Sequence, residues 1–186
     1  KSGEEAFREF YGNFFMRLGL HSLFENLLTE FPLLDDPKTT IFIKRAFGKK
    51  EEGSEFYRDG DSRTVFLSLQ TKRILERSFL EAFVRHELLR VSDMLDPRFE
   101  YSPDVFLGGE NEAENDLIRD RFRLLWNLSI QGRMKQRGWK ITIPLDARRQ
   151  EFEKTFAQWS PERREKVFQE LASKNQWTQS ELLGFA

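Results

Sequence analysis

The sequence predicts an α+β fold, with a small mixed or antiparallel sheet, long flanking helices and a helical extension at the C-terminal end. Short β-branched and aromatic runs separated by polar turns lie within residues 39–70. Two long stretches with apolar side chains at three- and four-residue steps follow, over 72–95 and 110–133. Helix-start signals recur beyond residue 143. Strands first and helices afterwards are typical of an α+β protein.

The length and charge limit the classes of protein to consider. A chain of 186 residues suits one domain, which we divide into an α+β domain over 1–143 and a helical extension over 144–186 packed on it. Thirty basic residues against 31 acidic ones give no net attraction to nucleic acid or to an anionic membrane surface. We therefore expect neither nucleic acid nor membrane as a partner.

The absence of cysteine excludes a disulfide framework, a thiolate metal site and a cysteine nucleophile. No run of side chains approaches the roughly 18–20 apolar residues of a membrane span. Residues 1–5 carry no apolar stretch of the signal-peptide kind. Together these features predict a cytoplasmic protein.

The first half of the chain is predicted to form one helix and three strands. Apolar residues at helical spacing predict a helix over 4–31, with a break near Gly19. Residues 39–44 and 64–70 alternate as strands do, and residues 54–58 are expected to form an edge strand.

The second half is predicted to be helical. A long helix over 72–95 is followed by a second one over 110–133, whose acidic first turns suit the helix dipole. Further helices are expected over 147–158, over 161–173, where Pro161 is well placed at the first helical position, and over 178–183, which opens on a capping-box spacing.

One face of the helix over 72–95 gathers the candidate site residues His86, Glu87, Arg90, Asp93 and Asp96. In the motif H-E-x-x-H, two histidines one turn apart hold zinc, and the glutamate acts as general base on the metal-bound water. The segment His86-Glu87-Leu88-Leu89-Arg90 matches this motif except that Arg90 takes the place of the second histidine.

On this motif and on the order of its elements, the region from about 40 to 135 resembles the zincin-type metallopeptidases, including bacterial zincin-like proteins that carry H-E-L-x-H. The resemblance implies zinc as the cofactor, with His86 as its first ligand and Glu87 as the catalytic base. It also places the strand over 64–70 where that family has an edge strand that pairs with an extended substrate.

The resemblance leaves the third zinc ligand open. In the thermolysin-like branch it is a glutamate on the second helix, which corresponds to Glu112 in the segment 111–116. A later position on that helix, near Gln131, is another option. In the metzincin-like branch the ligand falls at Asp96, since an aspartate can bind zinc.

Arg90 departs from the family in a way that bears on the metal. An arginine side chain is permanently cationic and has no lone pair to give to a metal ion. We therefore expect a degenerate zinc site without bound zinc, in which the guanidinium stands in for the metal charge. In this hypothesis Arg90 neutralises Glu87 and either Asp93 or Asp96.

Three functions remain open at this point, and with them the question of whether the protein is an enzyme. The first is a catalytically inactive zincin-like domain that binds a peptide or protein along the old cleft or has a structural role. The second is an active metal-dependent peptidase with zinc on His86, Glu112 and Asp96 and with Glu87 as base. The third is a helical interaction module, in which Glu87, Arg90 and Asp93 are ordinary surface ion pairs.

Overall fold

The computed structural model describes residue 12 and residues 16–186, and in them the protein is a mixed α+β structure of seven helices and three strands. The α+β prediction is thereby confirmed. In chain order the elements are α1 (Leu20–Leu28), β1 (Thr39–Arg45), a 3₁₀ turn (Lys49–Glu51), β2 (Gly53–Asp59), β3 (Ser62–Leu69), α2 (Thr71–Leu75), α3 (Arg77–Leu95), α4 (Glu112–Gln136), α5 (Leu145–Thr155), α6 (Pro161–Ser173) and α7 (Gln179–Leu183).

The first predicted helix is shorter in the described residues than the sequence pattern suggests. Gly19 adopts a left-handed φ of 65° directly before α1, so the predicted break at this glycine is confirmed. Most of the predicted helix before residue 16 lies outside the described residues.

The sheet is mixed, with the strand order β1-β3-β2. β3 pairs in parallel with β1 and antiparallel with β2, to which it is joined by a tight hairpin turn at Gly60, φ 55°. β2 is therefore the edge strand that its sequence predicted.

The strand over 64–70 is not the edge strand that the family resemblance implied, because β3 is paired on both sides. The physical reason lies in the side chains. Val65, Leu67 and Leu69 are all buried on β3, whereas β2 is largely polar and exposed, which suits the rim of a sheet.

The predicted helix over 72–95 is two helices, because the backbone leaves the helical region at Glu76, φ −104° and ψ 77°. Arg73 in α2 forms an ion pair with the buried carboxylate of Glu52 and stacks 4.0 Å over the ring of Phe79 in α3. These contacts tie α2 to the segment before β2, and the chain bends at Glu76.

The three C-terminal helices are present as predicted, within two or three residues. Ser160 caps α6 ahead of Pro161, and Thr178 and Glu181 form a complete capping box on α7. α5 begins at Leu145, two residues earlier than predicted, and Asp146 lies in its first turn.

A single hydrophobic core runs through the sheet, the long helices and the C-terminal helices. Buried side chains of α6 and α7, among them Phe168, Leu171 and Leu182, belong to the same cluster as Val65 of β3 and Leu88 of α3. No helix of the described residues has the length and apolar character needed to cross a membrane.

Helices α4 and α6 approach closely at Gly132. A Cβ atom at this position would lie 2.6 Å from the carbonyl oxygen of Ala172 and 2.8 Å from its Cα. Only glycine fits here, because the obstacle is backbone and cannot swing aside.

We expect Gly132→Ala to destabilise the protein by about 1–3 kcal/mol, even though alanine is the better helix former. Urea unfolding followed by circular dichroism measures the change. Gly48→Ala is the matched control, because a Cβ at Gly48 meets nothing within 4 Å. Equal stability of the two variants would contradict the close α4–α6 contact.

Candidate functional site

Helix α3 presents three polar side chains, His86, Glu87 and Asp93, to the interior. His86 and Glu87 are 7% and 4% exposed, and the same helix buries Leu80, Val84 and Leu88 along one face. This burial follows from the position of α3, which contacts both the sheet and α4. A buried carboxylate requires hydrogen bonds or an opposite charge.

Glu87 receives four hydrogen bonds. Its Oε2 accepts from the backbone N–H of Ser54 at 3.0 Å, from the Ser54 hydroxyl at 2.8 Å and from Arg90 Nη1 at 2.9 Å. Its Oε1 accepts from His86 Nδ1 at 3.0 Å. Burial alone would raise the pKa of Glu87, but the bond from His86, the charge of Arg90 and the Ser54 hydroxyl together lower it to about 2.

His86 is held in its neutral form. Burial lowers its pKa, the contact with Glu87 opposes this effect, and the positive charges of Arg90 and Arg148 reinforce it. Because an ionised carboxylate only accepts, the proton of the neutral ring is on Nδ1 and points to Glu87. The Nε2 lone pair of His86 is buried and has no hydrogen-bond partner among the described residues.

Arg90 joins the site to the next helix. While Nη1 donates to Glu87, Nη2 donates to Asn127 Oδ1 of α4 at 2.6 Å, and the guanidinium carbon lies 6.0 Å from the ring centroid of Trp126. The side chain is 23% exposed. The part of the hypothesis in which Arg90 neutralises Glu87 agrees with this geometry.

Asp93 has a different counter-ion. Arg133 of α4 binds both of its carboxylate oxygens, at 2.7 and 2.6 Å, and the Trp126 indole N–H donates to it at 2.7 Å. The hypothesis that Arg90 neutralises Asp93 is therefore wrong. Glu87 and Asp93 are therefore each neutralised by a different arginine, Arg90 for Glu87 and Arg133 for Asp93.

Asp96 and Glu112 lie away from the His86–Glu87 pair. Asp96 binds Arg98 through both oxygens, so its predicted pairing with Arg90 is also wrong. Glu112 is at the start of α4, with a 76% exposed side chain paired to Arg119 at 2.8 Å. Neither carboxylate reaches the buried ring of His86 with a hydrogen bond in the described part of the chain.

The donor atoms around His86 do not fit a zinc ion. Within residue 12 and residues 16–186 no group of three or more His, Cys, Asp or Glu side chains is placed to hold a metal. Gln131, the other option for a third ligand, is fully buried on α4. The guanidinium of Arg90, bonded to the same carboxylate as His86, adds a repelling charge.

Sequence reasoning missed Ser54, Asn127 and Arg133, which complete these two networks. They are 33, 37 and 40 residues from the α3 side chains that they bind. A serine at the start of a predicted edge strand carries no signal of its own. Asn127 and Arg133 are six residues apart on α4, a spacing that does not bring them to one face, so the sequence carries no sign that both bind α3.

Comparisons of the chain with protein-family models, with curated proteins and with solved structures find no match.

The buried pair gives a definite pH dependence. The folded-state pKa of Glu87, about 2, is below its usual 4.5, so its contribution to stability is full above pH 4.5 and is lost as the pH falls toward 2. The pKa of His86 is below its usual 6.5, so the unfolded chain takes up the proton first, and stability starts to fall below about pH 6.5.

Urea unfolding at successive pH values should therefore show a decline that begins near pH 6.5. In a His21→Gln variant, His86 is the only histidine, and its ring signal in NMR reports its protonation directly. A His86 ring that becomes charged at or above pH 6.5 in the folded protein would contradict the buried neutral state.

Removing Arg90 should destabilise the folded protein, because the buried Glu87 carboxylate then lacks a counter-ion. We expect Arg90→Met to lower the free energy of unfolding by about 2–4 kcal/mol, because Glu87 keeps its charge and loses its counter-ion. The double variant Glu87→Gln/Arg90→Met should recover part of this loss, and a double-mutant cycle measures the coupling. Lys38→Met, in an exposed ion pair, is the control and should change little. Additive effects at positions 87 and 90 would contradict a coupled pair.

Proposed function

We propose that the protein is a zincin-like domain in which an internal ion pair replaces the metal centre, and that it binds an extended peptide along the outer edge of β2 without cleaving it. The observation that carries the proposal is the bond of Glu87 to both Ser54 of the edge strand and Arg90 of its own helix. The same carboxylate is thus tied to the strand and neutralised by the guanidinium.

The state of Glu87 supports a binding function over catalysis. A general base has to accept a proton from water, and it works best with a pKa near the working pH. Glu87 has a pKa of about 2 and four hydrogen bonds already directed at its two oxygens. Such a carboxylate serves as a structural anchor.

The outer edge of β2 has the geometry for strand addition. The Ser54 N–H points to Glu87 and so away from β3. Because successive residues of a strand direct their backbone groups to opposite edges, the N–H and C=O groups of Phe56 and Arg58 also point outward. A peptide that pairs with these groups would extend the sheet by one strand.

One observation favours the alternative, a metal-dependent hydrolase. The Nε2 lone pair of His86 is buried without a partner, and in the motif that the sequence resembles this atom is available to a metal. The alternative requires further ligands to move toward it. Glu87 would also have to give up the bond from Arg90.

Strand addition is tested with peptides selected against the purified protein from a displayed random library. Arg58→Pro removes one outward N–H without touching the pairing of β2 with β3, so we expect peptide affinity to fall by about tenfold or more. Arg58→Ala keeps the N–H and should bind within about twofold of wild type. Fluorescence anisotropy measures both affinities.

Equal binding by the two Arg58 variants would contradict strand addition at β2. The hydrolase alternative is tested on the same protein by zinc titration and by mass spectrometry of the peptide after incubation with zinc. Intact peptide is expected. One equivalent of zinc that is lost in His86→Ala, together with cleavage of the peptide, would overturn the proposal in favour of the hydrolase.

A further inference from the structure

A cavity of about 440 Å³ opens beside Arg90, next to the stretch of α3 that follows Glu87. Its walls come from the C-terminal half of α3, the first half of α4, the connection between them and the last helix, α7. Side chains of Met94, Leu107, Phe122, Trp126 and Leu183 make much of the lining apolar.

The charged groups in this cavity are all of one sign. Among the described residues that line it there are three arginines, Arg90, Arg119 and Arg123, and no aspartate or glutamate. Each arginine is paired with carboxylates outside the lining, Arg90 with Glu87, Arg119 with Glu112 and Asp116, and Arg123 with Asp120. The cavity wall therefore presents guanidinium N–H donors, and no carboxylate, to a ligand.

Arg90 retains hydrogen-bonding capacity for a ligand. A guanidinium has five N–H groups, and the contacts with Glu87 and Asn127 use one on each terminal nitrogen. The planar fork of an arginine matches the two oxygens of a carboxylate. Tyr101, also in the lining, keeps its phenolic proton as a further donor, because burial and the charge of Asp104 raise its pKa.

The cavity is preformed. The connection between α3 and α4 is clamped to α7 by Gln179, whose amide bonds the backbone N–H and C=O of Ser102 at 2.6 and 3.0 Å. The backbone N–H of Gln179 also donates to the carbonyl of Phe99 at 2.8 Å, and Phe99 stacks on Trp126 at 5.1 Å between ring centroids. A site that is already ordered loses little entropy when a ligand binds.

We propose that this cavity binds a small amphiphilic monocarboxylate, with its carboxylate at the arginines and its apolar body against Met94, Phe122 and Leu183. The volume is within the range of about 300–1,000 Å³ typical of small-molecule sites. The apolar walls favour a ligand with a hydrocarbon body over a fully hydrated anion such as phosphate. This inference goes beyond peptide binding at β2 and does not depend on it.

Octanoate serves as the probe, and calorimetry or Trp fluorescence follows the titration of the full chain. We expect saturable binding of one octanoate with a Kd below about 1 mM. Octanol lacks the charge, whereas acetate and inorganic phosphate are anions that lack the apolar body. Each should bind at least about tenfold more weakly.

The double variant Arg119→Gln/Arg123→Gln should weaken octanoate binding about fivefold or more, with an unchanged thermal midpoint, because both side chains are in exposed pairs. Arg90→Lys keeps the charge beside Glu87 but removes the planar guanidinium group, and should weaken octanoate binding further. Arg58→Gln removes an exposed cation outside the lining and is the matched control.

Octanol binding as tightly as octanoate would overturn the proposal, as would phosphate binding equally well or full affinity in the double variant. Arg58→Pro separates this inference from strand addition. A variant that loses the selected peptide and still binds octanoate supports both proposals, whereas loss of octanoate binding in Arg58→Pro would contradict a separate cavity.

Discussion

The buried carboxylate of Glu87 determines how the sheet, α3 and α4 fit together. It accepts from Ser54 on β2, from His86 beside it, and from Arg90, whose other nitrogen reaches Asn127 on α4. Taking this charge out of water is costly, and the cost is offset only when all of these donors are in place. A shifted strand or a rotated helix would leave a charge in the core without partners, so the network selects one arrangement of the three elements.

A second network repeats this logic further along α3. Asp93 is held by the paired nitrogens of Arg133 and by the Trp126 indole, both from α4. The contact between α3 and α4 therefore contains two polar networks, one at Arg90 and one at Asp93. The aromatic stack of Phe99 on Trp126 lies beside these networks. Two directional networks fix the register of the helices more firmly than apolar packing alone, since apolar contacts tolerate small slides.

What the sequence predicted correctly depended on local information. Alternation identified the strands, cap signals placed α6 and α7, and residues 54–58 were correctly expected at the edge of the sheet. The arginine in place of the second histidine of the motif also predicted an internal cation at position 90. This prediction needed only local information, because its partner Glu87 is three residues away on the same helix.

Most of the errors came from contacts between distant parts of the chain, although Asp96 pairs with its near neighbour Arg98. Nothing near Asp93 in sequence indicates that Arg133, forty residues later, is its counter-ion in place of Arg90. The split between α2 and α3 depends on Glu52, 21 residues before its partner Arg73. The central position of β3 depends on which neighbours it finds on both sides, and that is a property of the assembled sheet.

The hairpin of β2 and β3 has a consequence for the order in which the sheet forms. Its strands are joined by the short turn at Gly60, whereas β1 must find β3 in parallel across the whole of β2. Closing a short loop loses less chain entropy than closing a long one, so the hairpin is expected to assemble early and β1 to join afterwards. The outer edge of β2 thus belongs to the earliest-forming unit, and during synthesis it would emerge with its hairpin before the α3 carboxylate that later anchors it.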